Sequence, residues 1–120
     1  MEKINLAQKL ALFSEHWSPK IIARLNGQEV RVAKILGAFD WHHHADADEL
    51  FLCVAGRFRL EFRDRAAVEL APGELCVVPR GVEHRPVADE EAHLLLFEPA
   101  DTLNTGNVQS ARTHAVLETL

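Results

Sequence analysis

The sequence predicts an all-β fold: a sandwich or barrel of short antiparallel strands, preceded by one short helix. Three observations predict it. The run "RFRLEFR" (57–63) alternates strictly, with Phe58, Leu60 and Phe62 on one side and Arg57, Arg59, Glu61 and Arg63 on the other, which is the pattern of a half-buried antiparallel strand. Turn residues recur at short intervals, at Asn26-Gly27, Gly56, Pro72-Gly73 and Pro79 to Gly81, each between runs of β-branched and aliphatic residues. Helical periodicity does not alternate with these runs, which disfavours a parallel α/β sheet.

Each element follows in order. Leu6, Leu10, Phe13 and Trp17 form one stripe at helical spacing, with Asn5 as a cap and Ser18-Pro19 as the stop. The stripe reads as a packing face. "KIIARL" (20–25), the turn "NGQ" (26–28) and "EVRVAKIL" (29–36) read as a hairpin, because Asn-Gly favours a two-residue turn. "ELFLCVAG" (49–56) is apolar on both parities, as in a strand covered on both faces by the helix or by a second subunit. A homodimer is therefore expected. Further strands are predicted at 57–63, 67–71, 74–79, 83–88 and 93–98, and Pro99 closes the last. The tail begins as a loop around Asn104 to Asn107 and is expected to finish as a short helix capped by Ser110. One domain results: residues 1–28 give the N-terminal helix and first strand, 29–98 the barrel, and 99–120 a tail packed on the barrel or on a partner subunit.

Composition narrows the partners. A formal net charge of −5 speaks against nucleic acid and against an anionic membrane surface. No apolar run approaches the roughly 20 residues that span a bilayer, and the start "MEKINLAQKLALF" lacks the pattern of a signal peptide. The cytoplasm is the expected location. Cys53 and Cys76 each lie within an apolar run and are expected as reduced, buried thiols.

The titratable chemistry gathers in "GAFDWHHHADADELFLCVAG" (37–56). In an extended segment His42 and His44 share a side while His43 points away. The loop "ADAD" would let the next strand return so that Glu49 faces both imidazoles across the ladder. Imidazole plus carboxylate is a ligand set for a divalent transition metal. His84, after the turns at Pro79 and Gly81, is a fourth candidate.

These segments resemble the paired motifs of the cupin family. Gly37, His42, His44, Glu49 and Gly56 match the first motif, and Gly73, Pro79, Gly81 and His84 the second. The similarity covers roughly residues 29 to 98, so the chain is similar to small single-domain cupins. Two positions depart from the pattern: four residues rather than five separate Gly37 from His42, and Ala88 stands where an asparagine often ends the second motif.

The resemblance implies a double-stranded β-helix, the jelly-roll barrel. It implies that His42, His44, Glu49 and His84 bind one metal inside it. Such a set leaves up to two octahedral positions for water, substrate or dioxygen. Mn(II), Fe(II), Ni(II) and Zn(II) all suit it, with Mn or Fe expected in the cell and Ni or Zn after purification. The implied activity is that of a metal-dependent enzyme, a dioxygenase or a sugar isomerase or epimerase, acting on a small polar metabolite in the barrel. The alternative is a non-catalytic module that binds or senses a small ligand. No general base stands out beyond the ligands. Phe51 and Cys53 share Glu49's parity and are expected to line the cavity, Phe39 and Trp41 to pack between sheets or at an interface, and Arg80 and Arg85 to form surface ion pairs.

Overall fold

The computed structural model describes residues 1–120. Lys20–Leu25 (β1) and Gln28–Ala38 (β2) form the predicted hairpin. Asn26 and Gly27 turn it with φ of 50° and 75°, the pair of positive values that a two-residue turn needs to match strand twist. Glu49–Ala55 (β3), Phe58–Phe62 (β4), Val68–Leu70 (β5), Leu75–Val78 (β6) and His84–Pro99 (β7) complete the antiparallel sheet. The main path runs β1-β2-β7-β3-β6, while β4 pairs with β5 and with the start of β7. Strand β7 thus belongs to both halves of the barrel. The fold is mostly β, with one short N-terminal helix, as expected.

The inner faces carry Ala33 and Ile35 of β2, Phe51 and Cys53 of β3, Phe58 and Leu60 of β4, and Leu94 and Leu96 of β7, all buried. Fully burying a side chain such as Phe58 or Leu60 contributes about 1.5–3 kcal/mol.

Three expectations are corrected. Runs 83–88 and 93–98 are one strand, β7. The exposed Asp89, Glu90 and Glu91 between them read as a break. They lie opposite Leu36, where the register between β2 and β7 slips, so the ladder accommodates them as an irregularity. The helix is also shorter than its apolar stripe. It spans only Leu6–Leu10 (α1), with Asn5 Oδ1 accepting from the Gln8 N–H at 2.9 Å. Leu10 and Phe13 still pack on Ile22 and Val32, but the chain beyond Phe13 is taken by the sheet: His16 bridges to Lys34, and the Trp17 N–H donates to the Lys34 carbonyl at 2.9 Å. Finally, Ser110 caps no helix. Its hydroxyl donates to Asp40 Oδ2 at 2.6 Å and accepts from the Arg112 N–H at 3.1 Å, which holds residues 110–113 as a turn. No helix is long and apolar enough to cross a membrane.

Candidate metal centre

His42, His44, Glu49 and His84 converge. One ligand atom from each lies within 4.8 Å of the other three, and all four residues are buried. The route to this geometry differs from the one expected. Residues 43–48 are not a strand, and Glu49 pairs with Val78 of β6. The ladder partner of His42 is His84: their backbones exchange hydrogen bonds at 3.1 and 2.9 Å. His44 is set by its carbonyl, which accepts from the Gly81 N–H at 2.8 Å. The turn of the second motif therefore clips the first motif in place.

Two of the imidazoles are oriented by backbone carbonyls. Nδ1 of His42 donates to Asp40 O at 2.9 Å, and Nδ1 of His84 to Val82 O at 2.8 Å. A carbonyl only accepts, so each ring carries its proton on Nδ1 and turns a bare Nε2 inward. This is the outer support usual for metal-binding histidines. His44 Nε2, His84 Nε2 and Glu49 Oε1 are buried with no hydrogen-bond partner. His44 Nε2 and His84 Nε2 lie 3.2 and 3.4 Å from Glu49 Oε1. Such orphaned atoms are costly in a protein interior, and a cation between them would satisfy all three at once. Three imidazoles and a carboxylate suit a divalent transition metal, so the group can hold one.

Burial, reinforced by the neighbouring His84, lowers the His42 pKa to about 4, so the ring is neutral and fit to ligate near pH 7. Burial opposes charge on Glu49, but the adjoining Glu98 carboxyl and the His44 and His84 rings outweigh it and hold its carboxyl well below the usual range. Burial, with the Glu49 charge beside it, pushes Glu98 well above that range.

A cavity of about 40 Å³ adjoins the ligands. Only four of its lining residues carry polar side chains: His42, Glu49, Glu98 and Asn104. Ala33, Ile35, Phe51, Leu94 and Leu96 form its inner wall, and Phe39, Trp17 and two prolines the rest. Phe39 stacks on Trp17 at 4.7 Å and meets the edge of His42 at 5.3 Å. Phe39 is thus a cavity wall rather than an inter-sheet packing residue. Trp41 lies elsewhere, with the Arg63 and Arg85 guanidinium groups 4.2 and 4.7 Å from its ring. Phe51 lines the cavity as expected; Cys53 is buried in the core but outside that lining. Both thiols are free, with pKa raised by burial. Arg80 pairs with Asp48 and Arg85 with Glu61, as surface ion pairs. His16, His43, His93 and His114 lie outside the cluster.

Two features escaped the sequence reading. The first is Glu98, whose parity with Leu94 and Leu96 did point inward. Its Oε1 accepts from Arg31 Nη1 at 2.6 Å, and Arg31 also holds Glu29 through Nε at 3.1 Å and Nη2 at 2.8 Å. The second is the tail. Asn107 accepts the His43 N–H through Oδ1 at 2.9 Å and donates its own N–H to the His43 carbonyl at 3.1 Å. Gly106, with φ of 56°, lies so near that a β-carbon there would overlap the His43 carbonyl. This close approach requires glycine.

A family model for the cupin domain matches residues 25–98. The chain belongs to the cupin family. This cupin is 44% identical to a cupin-2 domain protein of Shewanella frigidimarina, with a TM-score of 0.78 over 80% of this chain and 93% of that one. Protein NMB1881 of Neisseria meningitidis is 37% identical, with a TM-score of 0.76 over 82% of this chain and 100% of that one. Among curated proteins, the uncharacterized YdbB of Bacillus subtilis is 38% identical over 64 residues, which cover 53% of this cupin and 57% of that protein. The fold also resembles hydroquinone 1,2-dioxygenase of Sphingomonas, at 18% identity and a TM-score of 0.72 over 80% of this chain and 31% of that one.

Proposed function

We propose that this cupin is a metal-dependent enzyme of dioxygenase type, with His42, His44, Glu49 and His84 as the ligands of one divalent ion. The observation that carries the reading is the set of buried, partnerless donor atoms on His44, Glu49 and His84 facing one point. A bound Mn(II) or Fe(II) would supply a Lewis-acidic centre with open positions for dioxygen and an organic ligand. The chain's own residues do the rest. The carbonyls of Asp40 and Val82 fix two imidazoles, Gly81 fixes the His44 backbone, and Phe39, Phe51 and Leu96 keep water from the inner cavity. That largely apolar wall supports dioxygenase chemistry over sugar isomerisation, because a polyhydroxylated ring would leave most of its hydroxyls without partners there. Two free thiols support a reducing compartment such as the cytoplasm.

Elemental analysis of protein purified without added metal tests the site. Wild type is expected to hold about one metal per chain, while His44→Ala and Glu49→Ala hold almost none with far-UV circular dichroism unchanged. Equal content in all three removes the site. Oxygen uptake by the Fe(II)-loaded protein over a panel of small hydroxylated aromatics then separates enzyme from binding module. Compounds that raise the melting temperature without being consumed favour the non-catalytic reading.

We also propose a homodimer through the outer face of β3 and β6. Leu75 and Val77 are 56% and 50% exposed, and the register sets them beside half-buried Leu52 and Leu50, with Leu95 and Phe97 of β7 next in line. An apolar stripe on an edge strand is a surface that soluble proteins cover. Light scattering is expected to give twice the chain mass for wild type and the chain mass for Leu75→Glu/Val77→Glu. A monomeric wild type at tens of micromolar would contradict it.

A further inference from the structure

His42 and His44 lie in a segment, residues 39–48, that belongs to no strand. Backbone of this kind keeps its shape only through the groups bonded to it. The barrel supplies some of them: Phe39, His42 and His44 are held by Pro86, His84 and Gly81. The tail supplies more. Arg112 Nη1 donates to Ala38 O at 2.8 Å. The Ser110 hydroxyl holds the Asp40 carboxylate, and the Asp40 carbonyl accepts from His42 Nδ1. Asn107 takes both backbone groups of His43, accepting the N–H through Oδ1 at 2.9 Å and donating its own N–H to the carbonyl at 3.1 Å.

Those two groups have a particular place. The His43 N–H belongs to the peptide that joins His42 to His43, and the His43 carbonyl to the peptide that joins His43 to His44. One tail residue therefore fixes the planes of both peptides between two candidate ligands, and a planar peptide leaves only the flanking dihedrals free. Gly106 lies against the same point: a β-carbon there would also stand 3.1 Å from His42 Cδ2. The tail is itself braced. Asn104 accepts from the His114 N–H at 2.9 Å and donates to Arg112 O at 2.8 Å, and the buried Thr105 hydroxyl lies 2.7 Å from that of Thr113. Asn107 is exposed, so its side chain fills no core space, and its bonds act on orientation. Residues 99–120 lie beyond the matched cupin domain, so this brace is additional to the two motifs.

We propose that Asn107 is a positioning residue of the candidate metal centre: by holding both peptides between His42 and His44 it sets the two imidazoles relative to each other, and the tail thereby governs how tightly and in what geometry an ion is held. This role rests on the metal-ligand reading of His42, His44, Glu49 and His84, but the orientation of the imidazoles can be followed without metal. Outer groups that orient metal-binding histidines typically carry about tenfold to a hundredfold in affinity. The coupling is reciprocal, so an ion that gains from an ordered tail must also steady it.

The test compares wild type with Asn107→Ala, Asn107→Asp and Leu120→Ala in the full chain. Leu120 packs on the cluster of Leu10, Phe13, Ile22 and Val32, so its truncation loosens the other end of the tail. Zinc affinity is measured by competition with a chromophoric chelator, coordination geometry by the visible spectrum of the Co(II) form, and imidazole orientation by the ring resonances of His42 and His44 in metal-free protein. Asn107→Ala is expected to lose about tenfold or more in zinc affinity, to alter the cobalt spectrum and to shift both sets of ring resonances. Asn107→Asp, which keeps the accepting oxygen, restores the wild-type spectrum and most of the affinity. Leu120→Ala loses stability in urea but keeps the affinity and the spectrum. Zinc slows hydrogen exchange of the residue-107 amide in wild type. Asn107→Ala with wild-type affinity and spectrum overturns the proposal and leaves the tail a structural cover. An equal loss of affinity in Leu120→Ala, or no recovery in Asn107→Asp, overturns it as well. Wild type that binds neither zinc nor cobalt removes the metal reading instead; the ring resonances of metal-free protein then decide, and resonances unmoved in Asn107→Ala overturn the positioning role.

Discussion

Arg31→Met is expected to destabilise the protein by about 3–5 kcal/mol, the cost of leaving the buried Glu29 carboxylate without its main counter-charge and the buried Glu98 carboxyl without its donor. Arg31 lies on β2 between Glu29 and Glu98, which are 5% and 1% exposed. Its guanidinium gives three hydrogen bonds to these carboxylates, at 3.1, 2.8 and 2.6 Å. It also donates to the carbonyls of Thr102 and Ala100, at 3.0 and 3.3 Å, so it ties the start of the tail to the barrel. Methionine fills much of the volume but removes every donor. Glu29 keeps only the exposed Arg24, at 3.2 Å. For a domain of this size the loss corresponds to a fall of about 10–20 °C in melting temperature.

A companion variant identifies the cause. Glu29→Gln/Arg31→Met/Glu98→Gln removes the uncompensated charge along with the arginine, and it should regain most of the lost stability, because neutral replacement of a buried ion cluster is often tolerated. Urea denaturation measures both. A single variant that loses less than about 1 kcal/mol, or a triple variant less stable than the single one, would show that the cluster does not act as a buried charge network.

The same cluster shows where sequence reading stops. Alternation in 57–63 gave β4 because its polar residues meet solvent and its apolar residues meet the core. Asn26-Gly27 gave the hairpin because two positive φ values are a local demand. The histidine and glutamate positions were legible through their match to the two cupin motifs, since strand parity alone misplaced Glu49, whose ladder partner is Val78. Glu29, Arg31 and Glu98 obey none of these local rules. A charge on an inward parity is affordable only through a partner, and Arg31 lies 67 residues from Glu98. The tail was opaque for a similar reason: Asn107 and Gly106 are held by the His43 backbone, not by periodicity. Strand β7 runs through three adjacent acidic residues, Asp89 to Glu91, that interrupt its apolar pattern, and only its pairing with neighbouring strands on either side shows it to be one strand. Local pattern reported the scaffold and the ligand set, whereas the buried charge that frames the cavity was set by long-range pairing.

Acid should weaken the metal-free protein through His42 in a window that the structure defines. The ring's pKa is held at about 4 by burial and by His84, against an ordinary value of 6.5. Between those values the unfolded chain binds a proton that the folded chain does not. Stability therefore falls as pH falls from about 6.5 to about 4 and is unaffected by this group outside the window. At 1.36 kcal/mol per pH unit the contribution is roughly 3 kcal/mol. Two neighbours act with opposite signs. Glu49, held low, loses its stabilisation at more acidic pH still, whereas Glu98, held high, gains a proton on folding and offsets part of the loss. Comparison with His42→Phe isolates the histidine, because both carboxyls titrate in each protein. Urea denaturation in chelator from pH 7 to pH 4 should show wild type losing roughly 3 kcal/mol more than His42→Phe over that range. A difference constant to within about 1 kcal/mol would mean that the ring titrates near its ordinary value of 6.5 in the folded chain as well, so that burial does not hold it neutral in acid. The desolvation that makes His42 a liability in acid is also what keeps its Nε2 bare down to about pH 4, so the two properties stand or fall together.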